Sequence, residues 1–267
     1  MSKPVIAVVD AFAPEAFQGN PAGVLLLEEW PEDHWLQQFA AEMRHSETAF
    51  LVPLGEAQYH LRWFTPTTEM KLCGHATLAS AHLLWELGIV RPDQTLRFAS
   101  LSGELRVRRD GDLSVLDFPV WNYQPSVLSE KASVALGVKP QNVVATPSDE
   151  ERLIIVGSAA EVRALKPDFA TLRSLPEHMF IVSAKDDSGR YDIVSRVFPT
   201  GLGIDEDPVT GSAHTLLAAY WSEVLGKTTL SAWQASERGG ELSLRLEGDR
   251  VHIGGRSATL FVGELVL

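Results

Sequence analysis

The sequence predicts an α+β protein of two pseudo-symmetric halves, each a curved, mostly antiparallel sheet wrapped around a central apolar helix. Three observations carry this prediction. First, the run from Gly74 to Gly88 carries Ala76, Leu78, Ala79, Ala81, Leu83, Leu84, Trp85 and Leu87, which occupy nearly every side of a helix. A helix with no broad polar face belongs inside a protein. Second, the chain contains another copy of that helix: Gly211-Ser212-Ala213 leads into Leu216, Leu217, Ala218, Ala219, Tyr220, Trp221, Val224 and Leu225. The separation is a constant 137 positions (74 to 211, 103 to 240, 111 to 248), through helix, strand and hairpin alike. A constant separation of this kind marks two copies of one structural unit. Third, strand-like segments do not alternate regularly with helices, and no Gly-x-Gly-x-x-Gly turn stands near the start, which disfavours a doubly wound dinucleotide fold.

Each element has its own signal. Val5–Val9 and Val24–Leu27 are short apolar runs that read as buried strands, with a Gly/Asn/Pro turn region between them. Residues 31–43 read as a helix, with Pro31 at its start and Trp35, Leu36, Phe39, Ala40 and Met43 at helical spacing. Strands follow at 49–52 and 59–64, then the apolar helix, then strands at 95–98, 104–108 and 113–118. The last two are joined by an Asp110-Gly111 hairpin signal. Pro119 to Pro125 is aperiodic and marks the crossover. In the second half, a short helix at 130–137 ends at Gly137 and Pro140. Strands are expected at 142–145, 152–156, 178–183 and 191–198, with helical turns at 160–165 and 169–175. After the second apolar helix come strands at 241–246 and 250–253. A last strand at 258–262 returns to the first half. The expected halves are therefore residues 1–118 with 256–267, and residues 119–255.

Bulk properties bound the function. A chain of 267 residues, 45% hydrophobic and 22% charged, has a soluble globular composition. A net charge of −12 argues against nucleic-acid and anionic-membrane partners, which need a basic face. No apolar run reaches the roughly 20 residues that span a bilayer, and Met1-Ser2-Lys3-Pro4 is not a signal peptide. A single cysteine allows no intrachain disulfide and fits the cytoplasm.

Several residues could carry chemistry. Glu47 sits at the entry to an apolar strand. Partial desolvation raises a carboxyl pKa and suits it to proton transfer; the alternative is a helix-capping or solvated loop glutamate. Asp207 is the last of three acids in Asp205-Glu206-Asp207, with Pro208 behind it and the second helix start following; it could cap that helix. His75 could be a cap, a polar core residue, a proton relay or a donor to a substrate oxygen. Gly74, Gly211 and Ser212 offer backbone N–H groups at helix starts, where an anion is favoured. Cys73 and His75 stand two apart with nothing near them in sequence to complete a metal-ligand set, so no metal is expected. His45, His82 and His214 read as structural or solvent-facing.

Four motifs in order, Asp10-Ala11-Phe12 with Gly19-Asn20-Pro21-Ala22-Gly23, Ser46-Glu47-Thr48-Ala49-Phe50, Cys73-Gly74-His75-Ala76-Thr77 and Asp207-Pro208-Val209-Thr210-Gly211-Ser212-Ala213, resemble the PhzF-like isomerase family, over nearly the whole chain. The resemblance implies the diaminopimelate epimerase-like fold, an active site in the cleft between two halves, a homodimer, and no cofactor. In the phenazine-biosynthesis isomerase a glutamate moves a proton between carbons of a cyclic dihydro-hydroxyanthranilate; Glu47 matches it. His75 and Asp207 match its assisting polar residues, and Asn20, Gly74, Gly211 and Ser212 match positions near the substrate, a small carboxylate. Related racemases use one cysteine at each helix start. Here Cys73 holds the first place and Thr210 the second, so a two-thiol racemase is excluded. Two other readings stay open: a small-molecule binding protein without turnover, and a one-cysteine enzyme using Cys73.

Overall fold

The computed structural model describes residues 3–266; Met1, Ser2 and Leu267, at the ends of the expected first half, lie outside them. The chain divides into two compact units. The first takes in the described residues up to Asp117 together with the stretch from Gly254 onward, and the second runs from Phe118 to Ile253. Phe118 thus groups with the second unit, and Gly254 and Gly255 with the first.

The first unit contains β1 (Val5–Ala11), β2 (Asn20–Leu26), α1 (Asp33–Met43), β3 (Glu47–Gly55), β4 (Gln58–Phe64), β5 (Glu69–Met70), α2 (Gly74–Glu86), β6 (Leu96–Ser100), β7 (Gly103–Asp110) and β8 (Leu113–Pro119), the last crossing the limit. The second contains β9 (Gln124–Pro125), α3 (Glu130–Leu136), β10 (Asn142–Ala145), β11 (Glu151–Ile155), α4 (Ala159–Ala164), α5 (Phe169–Leu172), β12 (Met179–Lys185), β13 (Ile193–Phe198), α6 (Ala213–Leu225), β14 (Thr229–Gln234), β15 (Gly240–Glu247) and β16 (Arg250–Gly255), the last again crossing the limit. The chain closes with β17 (Ser257–Glu264), which pairs antiparallel with β1 from Val5↔Glu264 to Ala11↔Ser257.

The sequence repeat reappears as a repeat of strand senses. In the first unit β1–β2 is antiparallel, β2–β3 parallel, β3–β4 antiparallel, β4–β6 parallel and β6–β7 antiparallel. In the second, β10–β11, β11–β12, β12–β13, β13–β14 and β14–β15 follow the same order of senses. Each parallel pair is bridged by helix, as a parallel connection requires: α1 or α4 with α5 at the first, α2 or α6 at the second.

The two apolar helices are the cores. Ten of the thirteen residues of α2 are buried, and nine of the thirteen of α6. α2 packs against β1, β2, β3 and β17, and α6 against β14 and β15. In α2 two buried hydroxyls are absorbed locally: Thr77 Oγ1 donates to Cys73 O at 2.6 Å and Ser80 Oγ to Ala76 O at 2.7 Å. α1 packs instead with Leu25, Phe50 and Phe64 through Leu36 and Ala40, which lie one turn apart. In the second unit α3, α4 and α5 take that role against Ile154, Phe180 and Val194.

The elements expected from the sequence are present, most of them longer by one to four residues at an end. Three short pieces and one full strand were not foreseen: β5, β9, the 3₁₀ turn Thr200–Leu202, and β14. The second helix also starts later than its repeat implies, at Ala213, with Gly211 in the preceding turn.

Candidate active site

In the first unit the strand register and the start of α2 gather four polar residues. β2 and β3 run parallel with Ala22 opposite Glu47, so Asn20 and Glu47 both sit at the strand ends from which their chains enter the sheet. Cys73, in extended conformation, is the N-cap of α2, and Gly74 and His75 form its first turn. Asn20, Glu47, Cys73 and His75 are all buried.

The contacts centre on the imidazole. His75 Nδ1 lies 3.2 Å from Asn20 Nδ2 and 3.5 Å from Cys73 Sγ, and its Nε2 lies 3.4 Å from Glu47 Oε2. With the Asn20 amide donating to Nδ1, the network assigns the ring proton to Nε2, which faces the carboxylate. Burial pushes the His75 pKa down to about 3, with the nearby His45 adding to the effect. The imidazole is therefore neutral at pH 7, and Glu47 meets a dipole rather than a full positive charge. The Glu47 carboxylate, 8% exposed, lies beside this neutral ring. Glu47 is thus neither a cap nor a solvated loop acid.

The start of α2 has no side-chain cap. Its first backbone N–H groups are directed along the axis with the positive end of the helix dipole, where negative charge is favoured. The arrangement brings together a buried carboxylate, a neutral imidazole and the first-turn N–H groups of a helix.

The sequence reading expected nothing to complete a metal-ligand set with Cys73 and His75. The fold corrects this: ligand atoms of Glu47, Cys73 and His75 all lie within 4.8 Å of one another. An imidazole, a thiol and a carboxylate form a donor set that a zinc-like ion accepts. Spacing along the chain missed Glu47 because it arrives from a different element.

The second unit carries the other predicted residues. Asp207 Oδ2 accepts from Thr210 Oγ1, in the turn before α6, and its N–H donates to Val197 O at 3.0 Å. Ser212 is the N-cap and makes no side-chain cap bond. The two acids before Asp207 are paired with arginines. Asp205 accepts from Arg173 at 2.6 and 2.7 Å, and Glu206 takes both arms of Arg196 at 2.7 Å. Gln234 is the residue the sequence reading missed. Fully buried at the end of β14, it accepts from Thr210 N–H at 2.9 Å and donates to Asp207 O at 2.7 Å, clamping the turn before α6. His214, also fully buried, meets Thr210 O through Nδ1 at 2.8 Å, and burial pushes its pKa down to about 4.

Two repeated sheet-and-helix units, each with an uncapped helix start beside buried polar residues, define the diaminopimelate epimerase-like class. Comparison with known proteins narrows this. The family model described as phenazine biosynthesis-like protein matches residues 9–263. An uncharacterized isomerase of Halalkalibacterium halodurans is 44% identical over 263 residues, 98% of each chain. A PhzF-family phenazine biosynthesis protein of Enterococcus faecalis superposes with a TM-score of 0.94 at 41% identity, covering 100% of both chains. A probable proline racemase of Agrobacterium radiobacter, with bound carbonate, shares the fold at a TM-score of 0.61 and 14% identity, covering 99% of this chain and 93% of its own. The chain belongs to the phenazine biosynthesis-like (PhzF) family. No helix among the described residues is long and apolar enough to cross a membrane.

Proposed function

We propose that this chain is a cofactor-independent isomerase that moves a proton within a small carboxylate-bearing molecule, cyclic or amino-acid-like, with Glu47 as the acid/base. The isomerase class rests on the family and on a relative bearing that name. The role of Glu47 rests on one observation, the buried Glu47 carboxylate 3.4 Å from a neutral His75 at an uncapped helix start.

In this reading the substrate carboxylate lies on backbone N–H groups at the start of α2, beginning at Gly74. Donors placed there favour the negative charge that grows as a neighbouring C–H is deprotonated. Glu47 accepts that proton and returns it to a second carbon. His75 keeps its Nε2–H toward Glu47 and steadies the carboxylate between the two transfers, and Asn20 fixes the ring's tautomer. In the second unit Asp207 and Ser212 serve the substrate's polar groups. The family resemblance supports a homodimer, and the single cysteine fits the cytoplasm.

Glu47→Gln keeps the size and the hydrogen-bonding edge but removes the base. It is expected to lower turnover at least roughly a hundredfold, about 2.7 kcal/mol of barrier. The measurement is NMR of candidate acids in deuterated water, following deuterium into carbon. Full turnover in this variant would remove Glu47 as the base. A binding protein without turnover predicts no deuterium uptake by any bound acid. The contact of Cys73 with His75 keeps a one-cysteine enzyme as the second reading; Cys73→Ala at full activity eliminates it.

A further inference from the structure

A cavity of about 310 Å³ opens in the first unit beside the last turn of α2. From His75 to Trp85 is about 15 Å along a helix axis, at about 1.5 Å per residue, so this cavity is separate from the Glu47 cluster. His82, Trp85 and Glu86 line it from α2, Arg109 and Asp112 from the β7–β8 hairpin, and Arg256 from the segment before β17. The volume is within the range of small-molecule pockets, which begins at about 300 Å³.

The repeat supplies a control. The second unit has a cavity of about 430 Å³ lined by Ala219, Ser222, Glu223 and Leu246. These lie 137 positions after His82, Trp85, Glu86 and Arg109 (82 to 219, 85 to 222, 86 to 223, 109 to 246). The gap beside the helix end is therefore a product of the fold and carries no function by itself. The acid is kept in both units. The guanidinium is not: where the first unit has Arg109, the second has leucine.

The chemistry around Arg109 is particular. Its Nε donates to Gly111 O at 3.0 Å, and it makes no ion pair among the described residues. Arg256 Nη1 lies 3.8 Å from Asp112 Oδ2, a loose pair. Glu86 accepts from Thr259 Oγ1 and lies 3.6 Å from His82 Nε2. Two further lining residues hold donors without a protein partner among the described residues, the Trp85 indole N–H and the Ser257 hydroxyl. Buried donors left without a partner are uncommon and destabilising.

Two guanidinium groups and two carboxylates share one cavity. A plain anion meets the two acids, and a plain cation meets the two arginines. A molecule with one charge of each sign matches both pairs. We propose that this cavity is a second small-molecule site, distinct from the Glu47 site, that binds zwitterions of the α-amino-acid type, with carboxylate on Arg109 and Arg256 and ammonium toward Glu86 and Asp112. Guanidinium suits the first task because its planar fork matches a carboxylate.

The test follows the Trp85 indole signal in ¹H–¹⁵N spectra of the full chain, assigned with Trp85→Phe, during titration with each common protein amino acid, and with acetate and methylamine alone. At least one amino acid is expected to shift the signal saturably, with acetate and methylamine each at least tenfold weaker. Arg109→Leu, which installs the second unit's own residue, should weaken binding at least tenfold while leaving the thermal midpoint in place. Arg109→Lys should fall between the two. Glu47→Gln should bind as wild type does, which separates this site from the proposed reaction. The proposal is overturned if no amino acid moves the signal, if Arg109→Leu binds unchanged, if acetate binds as tightly as the best amino acid, or if Glu47→Gln abolishes binding.

Discussion

At Gly19 the backbone holds φ +69°, and a Cβ there would stand 2.2 Å from the Ala11 carbonyl oxygen. No side chain fits that space without moving the backbone. The loop it closes is fixed at its base by Asp10, whose Oδ2 accepts from Phe17 N–H at 2.8 Å. Asn20, the next residue, opens β2 and reaches His75 at 3.2 Å. Gly19→Ala is therefore expected to cost about 1–3 kcal/mol of stability from strain and close contact. It should also displace Asn20 and so loosen the His75 ring. Denaturant unfolding measures the first effect, and a loss below about 0.5 kcal/mol would mean the loop relaxes freely. Glycine and asparagine in this turn were visible in the sequence as turn chemistry. That Asn20 would meet a histidine 55 residues on was available only through the family motif, because nothing in local spacing carries it.

The helices announced themselves, because apolar residues on all sides leave a segment few places to go. α1 is different: it depends on an aromatic cluster that only packing assembles. Phe50 lies 6.5 Å from Trp35, 6.0 Å from Phe39 and 5.6 Å from Phe64 between ring centroids, each in edge-on geometry. Phe50 is fully buried. Phe50→Ala should cost about 3–5 kcal/mol, and Phe50→Leu clearly less, because the cavity left is smaller. If both variants unfold at the wild-type midpoint, α1 is not held by this cluster. The element the sequence reading missed, β14, has a weak local signal. Its alternation breaks after Ala232, where Trp233 takes the less buried face and Gln234 the buried one, and its partners are β13 in parallel and β15 in antiparallel. Its existence depends on those long-range ladders, and with it comes Gln234, the clamp on Asp207 and Thr210.

For the molecule as a whole, the two buried imidazoles set an acid limit. His75 is held near pKa 3 and His214 near pKa 4 in the folded chain, against an ordinary value of 6.5. The unfolded chain therefore binds these protons first. Their contribution to stability is intact above about pH 6.5 and is lost as pH falls toward 4, by about 1.4 kcal/mol per pH unit for each proton. Urea unfolding at pH 7, 6 and 5 should show stability falling, most steeply below 6. His214→Asn should remove about half of that slope. Equal stability at pH 7 and 5 would show that neither ring is shielded from water. Asp149, Asp168 and Asp186 also sit below the usual carboxylate range, so their share of acid unfolding falls at lower pH.

The sequence by itself determined the two-unit plan, the two buried helices and the residue types at each helix start. These follow from apolar patterning, from glycine turns and from a repeat with constant spacing, all local or self-similar signals. Burial of the Glu47 carboxylate, the neutral state of His75 and the convergence of Glu47, Cys73 and His75 were decided only by the tertiary structure. So were the pairing of Asp205 and Glu206 with arginines and the charged cavity at Arg109. The physical reason is common to them all. Desolvation and charge pairing depend on distances between segments far apart in the chain, and those distances are set by sheet register and helix packing.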